Sequence, residues 1–206
     1  MTASSTKYSN IAMSERAEQS DVIRTAVNAL DRMGLRYAIG GSIASSTYGA
    51  PRFTQDADIT IEPFASRESE FAAHFGADFY VSVTAMQQAN RRRSSFNLLH
   101  ITSGFKVDFF VKREVPFAEA VMKRRRVESL SLLGGQRLYL TSPEDIVLLK
   151  LEWFRLGGEV SDRQWSDVLG VLKVQGGRLD QQYLAETAIT LGVADLLERA
   201  IREAAP

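Results

Sequence analysis

Apolar positions along this chain switch between two periods. Across residues 21–33, Val22, Ile23, Ala26, Val27 and Leu30 recur at helical spacing, and Gly34 ends the run. Residues 36–39 then predict a short strand, Gly40-Gly41 break it, and 42–48 predict a helix of small residues. Residues 57–61 alternate as a strand does, with Pro63 as the stop. A helix is expected over 66–75, a strand over 79–83 and a helix over 84–92. Residues 96–101 and 105–111 carry a hairpin signature around Thr102-Ser103-Gly104. A helix over 116–123 precedes a second strand pair, 127–133 and 137–140, around Gly134-Gly135.

The character changes after Leu140. Ser142-Pro143-Glu144-Asp145 is a strong helix start, with a hydroxyl cap, proline at the first helical position and acids near the positive helix end. That helix should run to Leu156. Ser161-Asp162-Arg163-Gln164 has capping-box form and opens another, and 180–191 and 193–204 complete an all-helical tail. The expected fold class is therefore α/β (α+β): a mixed α/β domain over 1–140, then a small C-terminal helical bundle over 141–206. Residues 1–10 are polar, and 1–13 are expected to form a frayed or disordered arm.

Composition narrows the setting. An apolar fraction of 45% is enough for a core, and the absence of cysteine excludes disulfides and thiolate metal sites. A cytoplasmic location is expected, since no apolar run is long enough for a membrane span or a signal peptide. The net charge is zero, yet residues 86–137 carry 11 basic and 4 acidic side chains. Arg91-Arg92-Arg93 and Lys123-Arg124-Arg125-Arg126 supply most of that excess. They could guide RNA, face an acidic antitoxin, or lie in solvated loops.

The chemistry concentrates between Ile39 and Ile61. Strand, Gly40-Gly41-Ser42 and helix follow one another, so the backbone can turn tightly and present N–H groups to an anion such as a phosphate. In a strand, Asp56 and Asp58 stand on one face, and two like charges held together favour a divalent cation. Hard oxygen ligands suit Mg²⁺ or Mn²⁺. Taken alone, the pair better fits a wetted strand end. Asp108, set between Val107 and Phe109, is a third acid in a strand, where an unpaired carboxylate is costly. If its strand neighbours 57–61, the three carboxylates converge.

The order G-G-S, D-x-D and a lone Asp in a later strand resembles the DNA polymerase beta-type nucleotidyltransferase superfamily. G-A-P-R-F-T-Q-D-A-D is similar to its branch of small bacterial stand-alone nucleotidyltransferases, which includes toxins of toxin–antitoxin and abortive-infection systems. A weaker likeness covers S-P-E-D-I-V-L-L-K-L and R-Q-W-S-D-V in the tail. The resemblance implies the nucleotidyltransferase fold, a mixed β-sheet flanked by helices, in which Gly40, Gly41 and Ser42 hold the phosphates of a nucleoside triphosphate. It implies that Asp56 and Asp58 ligate two metal ions, and that Asp108 ligates the catalytic one and helps deprotonate an acceptor hydroxyl. A nucleoside monophosphate would move to the acceptor, RNA such as tRNA or a protein, and pyrophosphate would leave. The alternative is a catalytically silent module of the same fold that binds nucleotide or a partner.

Further candidates surround this set. Arg52 could touch phosphate or support a neighbouring side chain, and Thr54 could orient Asp56. Lys150 could reach the triphosphate or cover apolar surface with its stem. Asp162 and Asp167 could share the same wall, with Asp162 better suited to a helix start. His74 and His100 lack ligand spacing, and Trp153, Phe154 and Trp165 are expected in helix packing.

Overall fold

The computed structural model describes residues 19–130 and 135–205. Its strands are β1 (Tyr37–Ile39), β2 (Asp56–Ile61), β3 (Phe79–Val81), β4 (Ser95–His100), β5 (Lys106–Val111), β6 (Arg126–Leu130) and β7 (Gln136–Leu140). They make one mixed sheet in the order β3-β4-β5-β2-β1-β7-β6. Helix α1 runs through residues 19–32. It is followed by α2 (Gly41–Tyr48), α3 (Glu68–Ala72), α4 (Val83–Arg92), α5 (Pro116–Arg124), α6 (Pro143–Leu156), α7 (Asp162–Gln175), α8 (Gln181–Leu191) and α9 (Ala194–Ala204). The expected elements are thus present, and the tail past Leu140 is helical. The arm expected over 1–13 lies outside the described residues, as do residues 131–134, which hold the end of the strand expected over 127–133 and the turn residue Gly134.

The chain groups into two units, and each draws on separate stretches of sequence. One comprises residues up to 37 with 55–113 and 128–138; the other comprises 38–54, 114–127 and 139 onward. The sequence places its boundary where strands give way to helices, at residue 140. The units instead assign α2 and its preceding turn, from early in the chain, to the same body as the helical tail.

In the first unit β2 runs parallel to β5, and β4 is antiparallel to β5, as the hairpin signature requires. Alternation sorts each strand into two faces. Ala57, Ile59 and Ile61 are buried while Asp56, Asp58 and Thr60 are half-buried, and β5 repeats the pattern. Phe71 of α3 meets Phe109 edge-on at 5.4 Å, and Phe96 stacks on Phe109 at 5.0 Å. Such aromatic pairs add about 0.5–1.5 kcal/mol each beyond their buried area. Helix α3 is shorter than the 66–75 expected. Ser66 sits at φ 69°, a left-handed conformation that cannot continue a right-handed helix. The buried carboxylate of Glu68 accepts from Asn90 Nδ2 at 2.8 Å, and Asn90 Oδ1 accepts the Phe64 N–H at 3.0 Å.

The second unit is built on helix contacts. Gly49, just past α2, lies against α7 so closely that a Cβ there would come within 2.7 Å of the backbone of Gly170 and Val171. Nearby, Gln175 Nε2 donates to the Tyr48 carbonyl at 2.6 Å. Helix α6 starts as expected: Ser142 Oγ accepts the Asp145 N–H at 3.2 Å. Helix α7 realises only half of its capping box. Ser161 Oγ accepts the Gln164 N–H, but the Gln164 side chain turns away and accepts from Lys150 Nζ at 3.1 Å.

One sequence expectation fails in this unit. Trp153 is 55% exposed, outside the packing that buries Phe154 against Trp165. In the run 123–126, for which the sequence leaves several readings open, two arginines make internal ion pairs. Arg124 and Arg126 both reach the buried Glu144 at 3.2 Å, and Arg124 lies over the Tyr183 ring at 3.7 Å. A buried acid needs paired cations, and these side chains supply them. Burial pushes the Asp145 carboxyl up despite hydrogen bonds from Tyr183 and Ser142.

Candidate active site

The acids of the first unit form one group. On the parallel pair β2–β5, Asp56 stands opposite Lys106 and Asp58 opposite Asp108. On the antiparallel pair β4–β5, Asn97 stands opposite Asp108. Because period two places alternate residues on one face, all five side chains share the polar side of these strands. Asp56, Asp58 and Asp108, which the sequence expects to converge, lie on one face of neighbouring strands.

Like charges facing each other across a strand pair destabilise it. The compensation is Lys106, whose Nζ lies 2.8 Å from Asp108 Oδ2. Its hydrogen bond to Asp108 holds the ammonium above its ordinary range against the opposing effect of burial. The fields of Asp108, Asp56 and Asp58 all add to that shift, so one cation is felt by all three acids. Asn97 Nδ2 donates to Asp108 Oδ1.

These carboxylates supply the hard oxygen donors that Mg²⁺ or Mn²⁺ prefers, and Lys106 already stands among them as a positive charge. Among the described residues, no group of three or more His, Cys, Asp or Glu side chains is gathered closely enough to hold a metal ion. The donor types are those a divalent cation takes, but the acids are not gathered into a metal-holding group, and Lys106 and Asn97 engage the Asp108 oxygens.

The second unit holds the glycine turn and a separate charged network. Gly40 caps α2, and Gly41 takes φ 51°, a value most side chains avoid. Arg52 Nη2 donates to Ser42 Oγ. The same guanidinium forks onto Asp167, with Nε to Oδ1 at 2.8 Å and Nη2 to Oδ2 at 2.9 Å. Lys150 Nζ sits 2.8 Å from Asp167 Oδ2, with both side chains almost fully buried. Lys150 is thus not a snorkelling surface residue. Burial acts to raise the Asp167 carboxyl, but hydrogen bonds from Arg52 and Lys150 prevail and hold it below the usual carboxylate range. Thr54 is half-buried in the loop between α2 and β2, and Asp162 opens α7 as an exposed first-turn acid.

Sequence reasoning missed Asn97. The signal was available: a hairpin turning at 102–104 sets Asn97 against Asp108. Asp167 was singled out, but its position between two cations was not. His100 instead pairs locally with Ser103 at 2.7 Å.

No protein-family model matches the chain, and neither does any curated protein sequence. Solved structures do. The antibiotic-resistance factor ANT(2'')-Ia, whose solution structure reveals substrate-regulated conformation dynamics, is 14% identical with a TM-score of 0.54; the match covers 88% of this chain and 97% of that one. An antigenic nucleotidyltransferase-like protein from Paracoccidioides brasiliensis is 17% identical with a TM-score of 0.49, over 90% of this chain and 92% of that one. The mixed seven-stranded sheet with its flanking helices is the nucleotidyltransferase fold expected from the sequence, and ANT(2'')-Ia shares it. No helix among the described residues is long and apolar enough to cross a membrane.

Proposed function

We propose that this chain is a metal-dependent nucleotidyltransferase that moves a nucleoside monophosphate from a nucleoside triphosphate to an acceptor hydroxyl. The observation that carries the reading is the register Asp58 opposite Asp108, with Asp56 on the same face. A sheet that sets like charges against each other at this cost has a use for a cation there.

In this reading Asp56, Asp58 and Asp108 hold Mg²⁺ or Mn²⁺. When bound, the ion polarises the phosphoryl oxygens and offsets the charge of the triphosphate. Asp108 accepts the proton of the acceptor hydroxyl. The acceptor oxygen forms a bond to the α-phosphorus as the bond to pyrophosphate breaks, and pyrophosphate departs with that electron pair. Backbone N–H groups at the start of α2 and the Ser42 hydroxyl bind phosphate oxygens. Lys106 competes with the ion for Asp108 and keeps the carboxylates balanced without it. The sequence resemblance extends the proposal to an acceptor on tRNA or protein and to a partner antitoxin.

The test is incubation with each α-labelled NTP, Mg²⁺ and total cell RNA or lysate, with pyrophosphate release followed in parallel. Label transfer that disappears in Asp108→Asn supports the reading. No transfer from any of the four nucleotides, with nucleotide still bound, leaves the silent binding module in its place. The engagement of Asp108 by Lys106 is the observation favouring that second reading.

A further inference from the structure

We infer that Asp167 is a positioning residue for polyphosphate binding: it locks Arg52 and Lys150 into one rigid, singly positive group attached to the Ser42 hydroxyl. The inference rests on the proposed function and adds a residue that the nucleotide-binding set lacked.

The argument starts from charge. Arg52 and Lys150 contribute two positive charges and Asp167 removes one, so the trio keeps a surplus suited to an anion. A lone arginine and lysine would repel each other and sample many rotamers. Asp167 removes that freedom by accepting both planar N–H bonds of the Arg52 fork at 2.8 and 2.9 Å. Its Oδ2 also takes Lys150 Nζ at 2.8 Å, and Lys150 is fixed from the other side by Gln164 Oε1 at 3.1 Å. Preorganised donors bind without the rotamer entropy that mobile ones lose.

The second link is proton direction. Arg52 Nη2 donates to Ser42 Oγ, so a lone pair of that hydroxyl is taken by the guanidinium. The hydroxyl proton is then directed to donate to another acceptor. The serine of the Gly-Gly-Ser turn is thereby set as a donor, the polarity a phosphate oxygen requires. Asp167 reaches the turn only through Arg52, so its effect on phosphate is indirect. Burial of its side chain, 7% exposed, keeps water from loosening the fork.

Inorganic pyrophosphate is the probe, titrated by calorimetry into the full chain, because it reports on the polyphosphate site without catalysis. Wild type should bind it, and Asp167→Asn should weaken binding at least tenfold at a temperature where circular dichroism shows it folded. Asp167→Glu should recover the melting temperature more fully than the affinity, because the longer side chain restores the charge and displaces the fork. Arg52→Lys keeps the charge and also covers the case in which Asp167→Asn does not fold; it should lose at least fivefold. In transfer assays the Asp167 variants should raise KM for the nucleotide more than they lower kcat. Pyrophosphate affinity unchanged in Arg52→Lys or in a folded Asp167 variant overturns the inference, as does wild type that does not bind pyrophosphate. Absent transfer with pyrophosphate binding that follows this order sinks the enzymatic reading and supports the positioning role.

Discussion

Asp58 stands directly across from Asp108 on adjacent parallel strands. Two carboxylates in register on neighbouring strands, about 4.8 Å apart in the pairing direction, repel each other unless a cation intervenes. Lys106 is that cation in the protein alone, and a metal ion would be its rival.

Asp108→Asn keeps the side-chain shape and removes one charge and one proton acceptor. Transfer should fall at least ~10²-fold, the low end of a general-base contribution, while nucleotide binding persists. Stability should change by less than about 1 kcal/mol, because Lys106 is half exposed and the loss of its partner is countered by relief of repulsion from Asp58. Melting temperature, nucleotide affinity and transfer rate measured together check this. A large loss of melting temperature with transfer intact would take Asp108 out of the active site.

Lys106→Met should tighten Mn²⁺ binding and lower the melting temperature of the metal-free protein. Both follow from removing a cation whose proton affinity the fields of Asp108, Asp56 and Asp58 raise. Water proton relaxation gives the Mn²⁺ affinity directly. Equal affinity in variant and wild type would mean that Lys106 and the ion do not compete.

Gly41→Val should harm folding as well as nucleotide binding. A side chain at φ 51° costs about 1–2 kcal/mol, and a β-branched one more. Gly41→Asn, which tolerates this region better, should keep more of the stability. Chemical denaturation of the two variants separates them. Equal midpoints would mean that the turn relaxes to accept any residue.

Asp167 links stability to acid pH. Its carboxyl is held below the ordinary value, so the folded protein favours the charged form more than the unfolded chain does. The stabilisation is complete above the unfolded pKa of about 3.9 and is lost as pH falls through the lower folded value. Asp167→Asn should cost roughly 3 kcal/mol at neutral pH, since it leaves two cations without their acid. The gap to wild type should close in melts run below about pH 4. A gap that stays constant across that range would assign the loss to packing.

Much of this was legible in the chain. Period-two alternation sorted Asp56, Asp58 and Asp108 onto polar faces, and the hairpin turn at 102–104 fixed which strand β5 would meet on one side. The pairing of β2 with β5 could only be posed as a condition, because parallel neighbours leave no local turn to read. Asp167, Arg52 and Lys150 come from three distant segments, and no spacing announces a contact of that kind. The ion pairs of Arg124 and Arg126 were not legible for a related reason. Their acids, Glu144 and Asp145, look like helix-start residues, which they are, and nothing local says that they are also buried.

The close approach of Gly49 to Gly170 works like a tongue in a slot. With no side chain between them, the end of α2 is seated against α7 backbone to backbone, and Gln175 latches the same end through the Tyr48 carbonyl. The helix that begins at the glycine turn is therefore mechanically part of the tail, although the chain reaches it long before. A change that lifts α7, such as alanine at Gly49 or Gly170, would be transmitted to Gly40-Gly41-Ser42 without touching any of them. A chain ended at Leu140 would keep the turn's residues and lose what holds them in place.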